Sequence, residues 1–133
     1  MSSTLKSLRA LADPTRLRIV ALLERDELSV NELQEITRMG QSRISTHLRQ
    51  LQEAALLQSR REGKRAFYRL KQNADTLTRD FIQLATRGAR EMHEAVADQV
   101  NLKRILARRQ EKEQAQLASF SMLQRSHETR MFH

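Results

Sequence analysis

The sequence predicts a mainly helical fold with one small β-hairpin. Glycine (3), proline (1) and aromatic residues (4%) are scarce among the 133 residues, a profile that disfavours a β-rich fold. Apolar residues recur at helical spacing along most of the chain. Only residues 57–70 alternate instead, around a glycine.

Leu5, Leu8 and Leu11 make a short first helical stripe. Asp13-Pro14 starts a second helix, with Asp as cap and Pro at the first helical position, where a missing N–H costs nothing. Leu17, Ile19, Val20, Leu22 and Leu23 make that helix apolar on most sides, so it is expected to be central and buried. Ser29-Val30-Asn31-Glu32 matches a capping box that opens a third helix, with Leu28 and Leu33 placed to form a hydrophobic staple. This helix is expected to stop at Met39-Gly40, glycine supplying the left-handed conformation of a tight exit.

A fourth helix begins near Gln41, with Ile44, Leu48, Leu51 and Ala55 on one face. Ser42, Arg43, Ser45, Thr46, Arg49 and Gln50 lie on the other. Residues 57–61 and 64–70 then read as two strands around a Glu62-Gly63 turn. From about Asp75, a stripe of Leu77, Phe81, Ala85, Gly88, Met92, Val96 and Val100 predicts one long helix. Beyond Val100 the chain is charged and Gln-rich, and more helix with a weak core is expected. The expected organisation is a winged helix-turn-helix over 1–72, a dimerisation helix over 73–100 and a charged, helical extension over 101–133.

Net charge is +8, which suits a polyanionic partner. Its position is more informative than its size. Arg38, Arg43, Arg49, Arg60, Arg61, Lys64, Arg65 and Arg69 are opposed over that stretch only by Glu53 and Glu62. The absence of cysteine excludes disulfides and thiolate metal sites. Apolar runs such as 19–23 are too short to span a bilayer, and residues 1–11 lack a signal-peptide apolar region. A cytoplasmic location without membrane contact is expected.

Two helices joined by a tight turn, the second presenting short polar side chains and arginines, suit the DNA major groove. Gln41, Ser42, Arg43, Ser45 and Thr46 occupy the first turns of the second helix, the end that normally enters the groove, with Arg49 one turn further on. Gln can pair bidentately with adenine and Arg with guanine. Arg60, Arg61, Lys64 and Arg65 cluster at the hairpin tip, where cations could hold phosphate or enter the minor groove.

Residues 12–19 (ADPTRLRI), 40–48 (GQSRISTHL), 53–57 (EAALL) and 60–70 (RREGKRAFYRL) together resemble the ArsR (arsenic-repressor-like) family. The resemblance covers roughly residues 5–72 in order and without gaps. It implies a homodimeric winged-helix repressor of double-stranded DNA, usually relieved by an effector, with Gln41, Ser42, Ser45 and Thr46 at base-reading positions. Gly40 departs from the serine that many members use to cap the recognition helix, and glycine caps nearly as well.

The stripe from Leu77 to Val100 exceeds what a small domain must cover. The expected dimer interface is therefore Leu77, Phe81, Ala85, Gly88, Met92 and Val96, with Leu5 and Leu8 of the first helix. Gly88 costs a helix roughly 1 kcal/mol relative to Ala, which suggests close helix approach there. No metal site or cofactor is expected. Metal-sensing members use cysteines, or paired histidines with carboxylates on the dimer helix, whereas Asp80, His93, Glu94 and Asp98 supply one histidine. His93 reads as a surface or interface residue, and His47 as a packing or phosphate-contacting one.

Two other classes compete with DNA binding. Winged helices also serve as protein-interaction modules, but basic residues on both the recognition helix and the wing favour DNA. The tail from about residue 101 resembles the linker that joins ArsR-type domains to a methyltransferase in some fusions. No nucleophile–base pair, metal cluster or phosphate loop supports catalysis by these residues.

Overall fold

The computed structural model describes residues 2–131. The elements are α1 (Ser3–Leu11), α2 (Pro14–Arg25), β1 (Leu28–Ser29), α3 (Val30–Thr37), α4 (Gln41–Glu53), β2 (Leu57–Glu62), β3 (Arg65–Leu70), α5 (Thr76–Arg90) and α6 (Ala95–Met131). They form two compact units divided after Leu102.

In the first unit, Ile19, Val20, Leu22 and Leu23 of α2 are buried, as its apolar character requires. Around them lie Leu33 and Ile36 of α3, Ile44, Leu48 and Leu51 of α4, and Phe81, Ile82, Ala85 and Ala89 of α5. The Asp13 carboxylate accepts the Arg16 backbone N–H at 3.1 Å, with Pro14 opening α2. The capping box is complete: Ser29 Oγ accepts the Glu32 N–H at 3.1 Å, and Glu32 Oε1 accepts the Ser29 N–H at 2.8 Å. Leu28 and Leu33, the staple pair, are both fully buried.

A short strand not anticipated from the sequence completes the wing. β1 pairs with β3 (Leu28 with Tyr68, Ser29 with Phe67), giving a three-stranded antiparallel sheet in the order β1-β3-β2. Two residues of extended chain ahead of a capped helix carry no periodicity to read. The hairpin turn is Gly63-Lys64, one residue later than expected, because Glu62 still pairs with Arg65. Gly63 has φ +62°, and a side chain there would strain the turn.

The exit from α3 also differs. The helix ends at Thr37, and Arg38 takes the left-handed conformation at φ 61°. Gly40 instead has φ −71° and is the N-cap of α4 without a side-chain cap bond. Ala55 is not on the buried face of α4. It lies past the helix end at φ 61° and is exposed.

The long helix expected from Leu77 to Val100 is two helices. α5 ends at Arg90, residues 91–94 form turns, and α6 starts at Ala95. After the turn, Asp98 meets Arg18 of α2, the Asn101 side-chain amide donates to the Ile36 carbonyl at 3.2 Å, and Leu102 is buried. Within the protomer a Cβ at Gly88 would meet only Leu17 Cδ1, at an ordinary 3.9 Å.

The second unit, from Lys103, is helical, with Leu117, Phe120, Met122 and Leu123 exposed. No helix among the described residues is long and apolar enough to cross a membrane.

Candidate nucleic-acid interface

α4 is two-faced. Ile44, Leu48 and Leu51 are fully buried, while Gln41, Ser42, Arg43, Thr46, Arg49 and Gln50 are exposed and Ser45 is half-buried. The apolar anchor therefore turns the polar first turns outward as a set, in which Ser42, Ser45 and Thr46 are short and Gln41 and Arg43 long. The Thr46 hydroxyl donates to the Ser42 carbonyl at 2.9 Å, which orients it while leaving its oxygen free to accept.

Arg16 holds this helix against the rest of the body. Its guanidinium donates to the Ala10 and Arg9 carbonyls at the end of α1, to the Gln50 side-chain oxygen on α4, and to His47 Nδ1 at 3.2 Å. Since arginine cannot accept, His47 Nδ1 must. Burial pushes the His47 pKa below 6.5, and Arg16 and Arg43 push the same way against Asp13, whose carboxylate lies 4.0 Å away. The neutral form of His47, favoured by burial, accepts from Arg16 and joins α4 to α2. No local spacing around Arg16 signals its contacts with His47 and Gln50, 31 and 34 positions later.

Arg43 reaches back toward the start of α2, where Nη2 lies 3.5 Å from the buried Thr15 hydroxyl. This weak contact leaves the guanidinium at the exposed edge of the helix. Gln52 donates to Ser59 Oγ at 3.0 Å, tying the end of α4 to the first wing strand.

The wing cations divide into two kinds. Arg60 is gripped by both Glu27 oxygens (2.6–3.0 Å) and by Glu62 at 3.0 Å, and it stacks 4.6 Å from the Phe67 ring centroid. The hydrogen bonds to Glu27 and then Glu62 raise its pKa further. Its charge is answered within the chain. Arg61, Lys64 and Arg65 are exposed at the tip with no ion pair among the described residues, and Arg65 lies 5.5 Å from the Phe67 centroid. Glu27 is remote in sequence from the hairpin, so no local spacing signals the pair.

The residues expected at a dimer interface separate likewise. Leu5, Leu8, Leu77 and Val96 are exposed, as is Leu84, which the stripe did not include. Phe81 and Ala85 are buried within the protomer, and Gly88 and Met92 are half-buried. A groove lined by Leu8, Leu11, Ala12, Leu17, Phe81, Leu84 and Ala85 runs between α1, α2 and α5.

No group of three or more His, Cys, Asp or Glu side chains among the described residues is placed to hold a metal ion. Asp98 is buried in a bidentate pair with Arg18.

Residues 13–59 match the model of the bacterial regulatory protein, arsR family. HlyU from Vibrio cholerae, a solved structure, is 34% identical; the match covers 64% of this chain and 89% of that one, with a TM-score of 0.57. The chain belongs to the ArsR family. The arsenic resistance transcriptional regulator ArsR1 of Pseudomonas putida is 46% identical over 63 residues, which are 47% of this chain and 49% of that protein. The ArsR-family chain thus spans about half the length of the curated relatives it matches. A solution structure from Mycobacterium bovis, described as the homodimeric winged helix-turn-helix DNA-binding domain of a possible ArsR-family transcriptional regulator, is 27% identical. It covers 69% of this chain and 83% of its own, with a TM-score of 0.56.

Proposed function

We propose that this ArsR-family chain is a sequence-specific DNA-binding transcriptional repressor that works as a homodimer in the cytoplasm. The observation that carries the reading is the outward set of Gln41, Ser42, Arg43, Ser45 and Thr46 on a helix whose other face is fully buried. These residues read bases, and Arg49 supplies a flanking contact. Arg61, Lys64 and Arg65 hold the backbone from the wing, with Arg60 fixing the wing's position. A bound dimer covers an inverted repeat and excludes other proteins from it.

The dimer forms through α1 and α5. Leu8 and Leu84 line the apolar groove, Leu5 and Leu77 are exposed on the same two helices, and a twofold axis brings each of them in twice. Fluorescence anisotropy on duplexes selected from a random pool tests the reading. Enrichment of an inverted repeat, with half-sites about one helical turn apart, is the expected result. Failure to enrich any sequence would refute specific recognition.

A further inference from the structure

A cavity of about 250 Å³ lies between α2, α5 and the first turn of α6. Pockets for drug-sized ligands run from roughly 300 Å³ upward, so any occupant here is small. Ala21, Leu22, Ala89 and Ala95 contribute apolar wall, and the three alanine methyls leave the space open. Arg18, Arg25 and Arg90 are the cations of the lining, and Glu24 and Asp98 the anions. Glu94 also acts on Arg18 from the turn before α6.

Asp98 is fully committed: its two oxygens take Arg18 Nε and Nη2, each at 2.8 Å, with side-chain exposures of 11% for Arg18 and 6% for Asp98. Arg25 and Arg90 are exposed and in no ion pair among the described residues. A planar guanidinium fork beside an apolar wall matches a carboxylate carried on a small hydrocarbon body.

We propose that this cavity is an effector site for a small organic carboxylate, which takes the place of Asp98 on Arg18. Asp98 is then the internal occupant that the effector displaces. The exchange conserves charge at Arg18, and the Asp98 carboxylate moves to water, where its solvation offsets the desolvation of the incoming carboxylate.

The exchange has a route to the DNA face. The first turns of α6 hold α2 through Asp98 and α3 through the bond from Asn101 to the Ile36 carbonyl. Releasing Asp98 loosens α6 from the carboxyl end of α3, the helix that leads into the recognition helix. The regulatory half of the proposal rests on the function proposed above, whereas the binding half does not.

Methyl NMR with benzoate as the probe separates the two. At constant ionic strength, sodium benzoate should produce saturable shifts at the Ala21, Ala89 and Ala95 methyls, whereas benzylamine should not. Asp98→Asn, which keeps the shape and removes the competing charge, should tighten benzoate by about tenfold, or ~1.4 kcal/mol. Arg18→Gln should abolish the saturable shifts. Shifts that fail to saturate, equal shifts with benzylamine, or unchanged affinity in Asp98→Asn would overturn the site. Saturating benzoate should also weaken binding to a selected duplex by at least about fivefold, the low end of allosteric couplings. Saturable methyl shifts with unchanged DNA affinity would overturn the coupling while leaving the site in place.

Discussion

Arg60, on the first wing strand, is held by both carboxylate oxygens of Glu27, a residue 33 positions earlier just past the end of α2. The wing is thereby pinned to the body by one of its own cations. This gives the wing residues different expected behaviour. Lys64→Ala should weaken every duplex similarly and lower the salt slope by about one for a lost phosphate contact. Arg60→Ala should change that slope less, because its charge is already neutralised, and should raise the mobility of β2 and β3 in amide exchange. Equal salt slopes for the two variants would contradict the distinction.

The apolar stripe of α5 also divides by burial. Leu84→Asp changes a residue 58% exposed in the protomer, so the monomer should remain helical. The dimer should dissociate, since a carboxylate buried against a partner without a hydrogen bond is costly. Sedimentation equilibrium alongside far-ultraviolet dichroism checks both statements. Phe81→Asp should instead lose the fold itself, because Phe81 is only 9% exposed. A Leu84→Asp protein that remained dimeric would move the interface away from α1 and α5.

His47 links stability to pH. Its folded pKa lies below 6.5, chiefly through burial, with Arg16 and Arg43 adding to the shift and Asp13 opposing it. The unfolded chain therefore takes up this proton first, and stability falls as pH drops from 6.5 toward the folded pKa. Above 6.5 the contribution is complete. Urea midpoints across that window should fall in the parent protein and fall less in His47→Gln. Identical pH profiles would show that His47 does not titrate between the two states.

The chemistry that makes the sequence legible is mostly local. Capping needs two residues three apart, so Asp13, Ser29 and Glu32 announced the starts of α2 and α3. The two faces of α4 and the glycine at the hairpin tip follow from spacing in the same way. What could not be read depends on distant contacts. No proline marks the break near Met92, yet the chain turns there, Asp98 reaches Arg18 and Leu102 is buried. Arg38 rather than Gly40 takes the left-handed exit, because Gly40 is already capping the next helix. The division of the wing cations needed Glu27, which only the tertiary fold brings near.

Removing the Ser29 cap should cost about 0.5–2 kcal/mol. The upper part of that range is expected, because the paired Glu32 is itself buried and would lose one end of the reciprocal box. Chemical denaturation of Ser29→Ala against the parent measures it. No change in midpoint would mean that α3 is held by packing alone.

Zinc, cadmium or arsenite at stoichiometric levels should leave DNA affinity unchanged, since the chain has no cysteine and no multi-ligand cluster among the described residues. Anisotropy titrations with and without each ion check this. A saturable loss of DNA binding that disappeared in His93→Ala would contradict it.

The most direct measurement is competition anisotropy at one fixed salt concentration, comparing a selected inverted repeat with a shuffled duplex of the same length, for the parent protein and for Gln41→Ala. Recognition by the α4 face predicts that the parent prefers the repeat by at least about a thousandfold. It also predicts that Gln41→Ala narrows that preference by about 1–3 kcal/mol, the worth of one bidentate base contact, while binding the shuffled duplex as before. Equal affinity of the parent for both duplexes, or a Gln41→Ala protein with undiminished preference, would contradict it.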